Sequence, residues 1–191
     1  RFISGYRNVI NKAIELNNAG IHTPLAIETS GHAAFKENYF LDDGAYVVAK
    51  ILMFLPKLQK ENLKLSDLIT TLQQPAETQE LRFHINEENF KKYGQKVIEE
   101  MNDFVDRSEG FTLEEDNREG IRGNVSAPFA SGWFLLRLSL HEPLLVLQVE
   151  NDVEGSNHKV ISHLRIFFEQ YKSLDLGKLE TYLKKLIKAI K

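Results

Sequence analysis

The sequence predicts the end of a mixed-sheet α/β domain, followed by an α+β domain in which helices cover an antiparallel sheet. Residues 1–72 alternate helix and strand patterns but hold too few strands for a whole α/β domain. Residues 79–191 then combine a run of strand patterns with helical patterns. The polar segment 73–78 (QQPAET) separates the two parts and is typical of a linker.

The N-terminal part begins with a predicted helix. Residues 5–19 carry apolar side chains at helical spacing, and residues 24–28 (PLAIE) predict a short buried strand. A second helix follows residues 43–44, and its apolar positions are Val47, Val48, Ile51, Leu52, Leu55 and Leu58. The initiating Met is absent, so we expect a piece of a longer chain whose missing strands lie upstream of Arg1.

The C-terminal part is predicted to hold four strands and three helices. The strands are placed near 79–86, 119–126, 132–139 and 144–151, and the helices near 88–105, 157–172 and 178–190. Large apolar residues fill 133–138 (WFLLRL), which predicts a central strand. The last helix has an apolar face set among lysines, a pattern seen in membrane-surface helices and in ordinary surface helices. We favour the surface helix, because lysines suit the C-terminal end of a helix dipole.

Composition excludes several functional classes. The formal net charge of -3 argues against a nucleic-acid partner, which usually requires a basic face. The absence of cysteine excludes disulfides, thiolate nucleophiles and cysteine zinc sites, and it fits a reducing, cytoplasmic compartment. The longest apolar runs are far shorter than the roughly 20 residues that cross a bilayer, so we expect no membrane partner.

Two polar loops carry the chemistry. The first loop, residues 28–32 (ETSGH), offers a carboxylate, a hydroxyl and an imidazole around a glycine, which suits sugar hydroxyls. The second loop, residues 137–143 (RLSLHEP), offers a guanidinium, a hydroxyl and turn amides, which suit a phosphate. Each loop also has a purely structural interpretation. The first could be a strand-to-helix turn that caps the next helix, and the second could be a hairpin whose Arg137 pairs with Glu142 or Glu150.

Taken together, the loops resemble the α-D-phosphohexomutases, the phosphoglucomutase/phosphomannomutase family. Residues 28–32, then 35–37 (FKE) and 42–44 (DDG), resemble the G-E-M-S-G-H, F-x-D/E and D-D/S-G motifs of that family's third domain. Residues 137–143 resemble the phosphate-binding loop R-x-S-G/N-T-E-P of its fourth domain. The similarity covers about 5–61 and 120–150. It implies that 1–72 is the end of domain 3 and that 79–191 is a domain 4 with a TATA-binding-protein-like fold.

The resemblance also implies roles for the residues of the first loop. Glu28 and Ser30 would bind the 3- and 4-hydroxyls of the sugar, with His32 close by. Tyr6 stands where the family often has His, and Thr29 replaces the usual Met.

In the second loop, Arg137, Ser139 and the backbone around Leu140 and His141 would hold the phosphate that is remote from the reaction. The pair Leu140-His141 is a departure from the family's Gly/Asn-Thr, because it removes one hydroxyl donor and adds an imidazole.

In the resembled family a phosphoserine gives its phosphoryl group to the sugar, and a Mg²⁺ ion held by a D-x-D-x-D loop screens the charge of that group. Neither the serine loop nor the D-x-D-x-D loop occurs in this sequence. We therefore expect no catalytic or metal-binding residue in this chain. We also expect that it is inactive alone, and that it acts on a phosphorylated hexose with upstream domains of the same polypeptide. Segment 73–78 is expected to be the hinge that closes domain 4 over the substrate. His84, His158 and His163 are expected to be ordinary core or surface residues and not metal ligands.

Three other functions remain open at this point. The chain could be a non-catalytic phosphosugar-binding or regulatory module. It could bind nucleic acid, given the implied fold, although its charge argues against that. It could also be an interaction module that works through the lysine-rich last helix. The loops do not distinguish glucose, mannose and amino sugars.

Overall fold

A computed structural model describes residues 2–3, 5–115, 117–139 and 141–189, with the side chains of 186–189 excluded. The chain divides into two compact units, Arg1–Gln73 and Gln74–Lys191. Each unit is described by itself. Within the described residues, no helix combines the length and apolar character needed to span a membrane.

Unit 1 is built from two helices and a small antiparallel hairpin. Helix α1 spans Tyr6–Asn18, strands β1 and β2 span Leu25–Ile27 and Ala33–Phe35, and helix α2 spans Gly44–Lys60. Short 3-10 turns lie at Lys36–Asn38 and Leu65–Ile69. The hairpin pairs Leu25 with Phe35 and Ile27 with Ala33. Strand β2 was missed by the sequence analysis, because three residues are too few for a periodic signal.

The core of unit 1 is small. Its buried residues Ala13, Ala26 and Ala34 pack with the partly buried Val9, Ile10 and Phe40. Helix α2 contributes little to burial. Of its six predicted apolar positions only Leu58 is buried, while Val48, Ile51 and Leu52 are exposed. The predicted helix is thus present, although most of its apolar side chains are not buried within this unit.

Unit 2 is a five-stranded antiparallel sheet in the order β3-β7-β6-β5-β4. The strands are β3 Glu77–His84, β4 Phe111–Leu113, β5 Ile121–Val125, β6 Gly132–Leu138 and β7 Leu144–Asn151. The helices are α3 Phe90–Asp106, α4 Ser156–Phe168 and α5 Gly177–Ala189. The predicted fold class is confirmed: helices cover an antiparallel sheet, and β6 is its central strand.

Alternation along the strands sets the two faces of this sheet. In β6, Phe134 and Leu136 are fully buried, whereas Trp133, Leu135 and Arg137 are partly exposed on the other face. The buried side chains join those of α3, α4 and α5 in one core, since side chains of successive strand residues point to opposite faces. The side of the sheet that carries Trp133, Leu135 and Arg137 is called the open face below.

Several predicted boundaries are corrected. Strand β3 begins at Glu77, within the predicted linker, and Glu77 pairs with Asn151. The Glu77 carboxylate accepts hydrogen bonds from the backbone N–H groups of Gly155 (2.7 Å) and Asn157 (2.8 Å) at the start of α4. Strand β4 was missed because it has three residues. Helix α4 ends at Phe168, before the predicted 172, since the chain then turns and Leu174 bridges to Ile85.

Candidate functional site

The first loop connects the two strands of the unit 1 hairpin. The Glu28 N–H donates to the His32 carbonyl (2.9 Å), and the Gly31 N–H donates to the Glu28 carbonyl (3.0 Å). Gly31 has a φ of 95°, in the left-handed region that favours glycine. The loop is thus a β-turn connection. The alternative of a strand-to-helix turn in which Glu28 or Ser30 caps the next helix is wrong for this loop, because the loop leads into β2 and Asp43 caps α2.

The Glu28 carboxylate has a defined position. One of its oxygens accepts a hydrogen bond from the backbone N–H of Gly5, just before α1. The other oxygen accepts from the Ser30 hydroxyl at 3.4 Å. Glu28 remains half-exposed, so its lone pairs are still accessible to hydroxyl donors from a ligand.

His32 is held by two neighbours. Its Nδ1 lies 2.7 Å from the Asp42 Oδ2. Its ring stacks on Tyr6, with centroids 5.1 Å apart and planes inclined by 23°. The Nδ1–H tautomer that donates to a carboxylate leaves Nε2 as an acceptor directed away from Asp42.

Sequence analysis missed the role of Asp42. The two residues precede the predicted second helix, but only Asp43 caps it: the Asp43 Oδ1 accepts from the Tyr46 N–H at 3.0 Å at the start of α2. Asp42 instead forms a β-bridge with Ala34, which aims its carboxylate at His32. The i, i+10 separation of His32 and Asp42 gives no periodic signal from which this pair could have been found.

A shallow surface pocket, too small in this structure to hold a water molecule, lies beside these groups. Its lining residues are Tyr6, Val9, Ile10, Ala26, Glu28 and His32. The pocket therefore combines an apolar floor from α1 and β1 with a carboxylate and an imidazole at its edge. Three of the four residues predicted to bind a sugar line it, and the fourth, Ser30, donates to Glu28 beside it.

The second loop is a tight turn between β6 and β7 in unit 2. The Ser139 N–H donates to the Leu144 carbonyl (2.9 Å), and the Glu142 N–H donates to the Ser139 hydroxyl oxygen (3.3 Å). The Ile85 N–H donates to the Pro143 carbonyl (2.8 Å), which ties the loop to β3. Because the Ser139 hydroxyl accepts within the loop, it keeps its proton for donation to a ligand.

Arg137 stands at the entrance of this loop on the open face of the sheet. Its Nε lies 3.8 Å from the Glu119 Oε1, an ion pair longer than a hydrogen bond, and its side chain is 35% exposed. The expected alternative partners, Glu142 and Glu150, are thus replaced by Glu119. His141 is exposed, and Leu140 lies outside the described residues.

Glycine places Glu119 beside Arg137. Gly120 has a φ of 77°, and a Cβ built there would lie 2.1 Å from the Leu136 carbonyl oxygen and 2.8 Å from the Arg137 Cα. Only a residue without a side chain lets the chain approach β6 so closely. The electrostatic surroundings of Arg137 therefore depend on this glycine.

The described residues contain no group of three or more His, Asp or Glu side chains placed to hold a metal ion. His163, which the sequence analysis assigned to core or surface, is partly buried among the rings of Phe104, Phe111 and Phe129. Burial lowers the pKa of this imidazole below its ordinary value. Its Nε2 lies 3.0 Å from the Ser108 Oγ, whose hydroxyl donates to the Phe104 carbonyl at 2.8 Å. This histidine therefore has a structural role in unit 2.

Comparison with solved structures identifies the fold. A phosphoglucomutase/phosphomannomutase family protein from Burkholderia thailandensis matches 87% of this chain with a TM-score of 0.59 and 24% sequence identity. The match covers 31% of that protein, so the chain shares its fold with part of that protein.

Comparison with curated proteins gives the relationship in sequence. A phosphoglucomutase from Neisseria gonorrhoeae is 30% identical over 149 residues, which are 76% of this chain and 29% of the relative. A phosphomannomutase/phosphoglucomutase from Pseudomonas aeruginosa is 30% identical over 152 residues, 79% of this chain and 29% of the relative. No protein-family model matches the chain. The resemblance to the phosphoglucomutase/phosphomannomutase family is thus confirmed, and the chain spans less than a third of the length of these relatives.

Proposed function

We propose that this chain is the substrate-binding part of a phosphohexomutase, an isomerase of carbohydrate metabolism that interconverts hexose 1-phosphate and hexose 6-phosphate. Homology to phosphoglucomutases and phosphomannomutases supports the reaction class. The observation that carries the substrate-binding role is the fixed geometry of the first loop. There, Glu28 and His32 meet Tyr6 at one pocket, and each polar group has a neighbour that orients it.

The sugar would bind at the first loop. Glu28 accepts from two neighbouring hydroxyls, since a carboxylate has lone pairs beyond those used by Gly5 and Ser30. His32, stacked on Tyr6 and hydrogen-bonded to Asp42, accepts from a third hydroxyl through Nε2. The apolar side chains of Val9 and Ile10 beside these groups would contact the C–H face of the ring. Glucose and mannose both carry such hydroxyls.

The phosphate would bind at the second loop. The Arg137 guanidinium supplies a planar fork of donors that keeps its charge. Ser139 adds a hydroxyl donor, and His141 takes the place of the hydroxyl that the family's Thr provides. The 3.8 Å ion pair with Glu119 is long enough for a phosphate to replace it at small cost.

In the complete enzyme, the phosphoryl group would pass between the sugar and a phosphoserine through a bisphosphorylated sugar. A Mg²⁺ ion would neutralise charge on the transferring group. The described residues do not provide a ligand set for this ion. We therefore assign the phosphoserine and the metal ligands to upstream domains of the same polypeptide, and we expect the chain alone to lack mutase activity.

The remaining features of this proposal concern the protein as a whole. We propose a cytoplasmic enzyme in which residues 1–72 complete a sugar-binding domain and residues 79–191 form the phosphate-binding domain. Closure would use residues 73–76 of the predicted linker, since Glu77 and Thr78 belong to β3. It would bring the phosphate-binding domain over the substrate and exclude water.

A calorimetric titration tests the proposal. The 191-residue chain is titrated with glucose 1-phosphate, glucose and inorganic phosphate. Because this chain would hold only part of the substrate site, it should bind the phosphosugar weakly, with a Kd on the order of millimolar. Arg137→Ala should abolish this binding, because the fork of donors is lost. The variant Lys91→Ala, on an exposed position of α3, serves as the matched control for charge removal.

The contrary result is equally clear. If glucose 1-phosphate and inorganic phosphate both fail to bind at tens of millimolar, and a protein with the upstream domains added also lacks mutase activity, the chain does not serve this reaction. Activity of the longer protein without binding to the isolated chain would instead show that the upstream domains complete the site.

One observation favours a second function, that of a non-catalytic phosphosugar-binding or regulatory module. The pair Leu140-His141 in the second loop removes a hydroxyl donor on which the family's phosphate grip depends. A module of this kind would bind hexose phosphates without turnover. This second function would be supported if the coding sequence upstream of Arg1 encodes neither a loop with the reactive serine nor a D-x-D-x-D loop.

A further inference from the structure

Arg82 stands near the second loop, and neither the motifs nor the proposed function uses it. It lies on β3 and is paired with Val146 of β7, and Val146 is paired in turn with Arg137 of β6. Residues that face each other across an antiparallel pair point to the same side of the sheet. Arg82 and Arg137 therefore occupy one row on the open face, with Val146 between them.

The spacing of this row suits one anion. Neighbouring strands lie about 4.8 Å apart, so the Cα atoms of Arg82 and Arg137 are separated by roughly 10 Å across β7. Both side chains are solvent-accessible, at 53% and 35% exposed. Val146 is only 5% exposed between them, as expected if the aliphatic stems of the two arginines flank it. Two side chains of this length can converge on one phosphate from opposite sides.

Arg82 is also linked to the second loop. The neighbouring Ile85 N–H donates to the Pro143 carbonyl at 2.8 Å, which fixes the end of β3 against the loop. Glu80, whose Oε1 lies 2.8 Å from the Arg82 Nε, raises the pKa of Arg82, and Glu142 of the loop adds a weaker effect in the same direction. The Arg82 guanidinium is therefore within electrostatic range of the loop.

We propose that Arg82 is a second arginine of the phosphate site, which binds the substrate phosphate together with Arg137 and Ser139. This inference rests on the proposed function. A guanidinium has five N–H donors, more than the single contact with Glu80 uses. Its added donors supplement those of Ser139 and His141 in a loop where Leu140-His141 leaves one hydroxyl fewer than the family motif. Glu80 holds Arg82 in place and competes with the phosphate for it.

The first test compares phosphate affinities of single variants. The 191-residue chain is titrated calorimetrically with inorganic phosphate and with glucose 6-phosphate. Arg82→Ala should weaken both affinities by about tenfold, as expected for the loss of one charge-assisted contact. Arg82→Lys should recover part of the loss, because it keeps the charge but not the fork. Lys91→Ala, on α3 and away from the open face, should match the parent.

A second variant acts in the opposite direction. Glu80→Gln removes the competing carboxylate, so phosphate affinity should rise by about threefold. In the double variant Glu80→Gln/Arg82→Ala this gain should vanish, since it operates through Arg82. Glu80 and Arg82 are both exposed on β3, and circular dichroism melts show whether the sheet is intact in each variant.

Three outcomes overturn the inference. If Arg82→Ala binds phosphate within twofold of the parent's affinity while Arg137→Ala abolishes binding, Arg82 does not belong to the site. The proposed function would not be affected by that result. A gain in Glu80→Gln that persists in the double variant would show only a through-space charge effect. If the isolated chain binds no phosphate but a protein with the upstream domains is active, an unchanged KM for glucose 1-phosphate in Arg82→Ala of that longer protein would also overturn the inference.

Discussion

At the scale of single residues, His32 shows how neighbours far apart in sequence turn a flexible side chain into a positioned one. Asp42 fixes the edge of the imidazole and Tyr6 fixes its plane. Neither neighbour belongs to the first loop. The loop motif predicted which residues could contact a sugar, but it did not predict what orients them.

Asp42→Ala should therefore change His32 without unfolding unit 1. In the parent, the hydrogen bond to Asp42 favours the Nδ1–H tautomer of the neutral imidazole, and its loss should shift the balance toward Nε2–H. Phosphosugar affinity should fall by about tenfold. Nitrogen-15 shifts of the imidazole measure the tautomer, with the exposed His22 as internal control. Unchanged His32 shifts in the variant would show that Asp42 does not hold the ring.

His163 should make the stability of unit 2 depend on pH. Burial lowers its folded-state pKa, whereas the unfolded chain has a value of about 6.5. The unfolded state therefore binds a proton first, and the free energy of unfolding should fall as pH drops below about 6.5. His163→Phe should remove this part of the pH dependence, and His158→Gln on the same helix should not. Urea unfolding at pH 7.5 and pH 5.5 measures this change in the free energy of unfolding. An equal change with pH in the parent and in His163→Phe would show that His163 is not its source.

At the scale of secondary-structure elements, length decides what the sequence reveals. Long periodic segments such as α3 Phe90–Asp106 and strand β6 Gly132–Leu138 were predicted almost to their ends. The three-residue strands β2 and β4 were missed, whereas the equally short β1 was predicted because an apolar run at 25–27 marks it. Glu77 was assigned to a linker because its partners are near Asn157, some 80 residues later.

Glycine 120 offers a test at this scale. Gly120→Ala places a methyl group 2.1 Å from the Leu136 carbonyl oxygen at a φ of 77°, so strain and overlap should destabilise unit 2 by about 3 kcal/mol. Gly155→Ala is the matched control, because its φ is 79° but no heavy atom lies within 4 Å. It should cost about 1 kcal/mol. Chemical denaturation compares the two, and equal losses would mean that the contact with β6 does not matter.

At the scale of the whole molecule, the two units differ in how much they bury. Unit 2 holds a core of large side chains from the sheet and three helices. Unit 1 centres on three alanines, while α2 exposes Val48, Ile51, Leu52 and Met53. Exposed apolar side chains grouped on one helix are typical of a surface that contacts other protein segments. We expect the upstream domains of the proposed enzyme to cover it.

If upstream domains cover α2, polar substitutions on this helix should have opposite effects in the 191-residue chain and in a protein with the upstream domains. Leu52→Glu with Met53→Gln removes two side chains that are 59% and 77% exposed. In the 191-residue chain the change should reduce binding of a hydrophobic dye and raise solubility. In a protein with the upstream domains it should destabilise the assembly by about 3 kcal/mol or more, because a charge would be buried. A neutral effect in the longer protein would mean that α2 faces solvent there too.

The strand order of unit 2 has a consequence for synthesis on the ribosome. Strand β3 is the first strand of the sheet to be made, yet its neighbour in the described sheet is β7, the last. The backbone N–H groups of Gly155 and Asn157, which donate to the Glu77 carboxylate, are also made after β7. While β4, β5 and β6 can begin to pair as they emerge, β3 stays without a strand partner until β7 follows. Contacts this distant in sequence slow folding, so β3 is exposed to chaperones and proteases for most of the time that unit 2 is being translated.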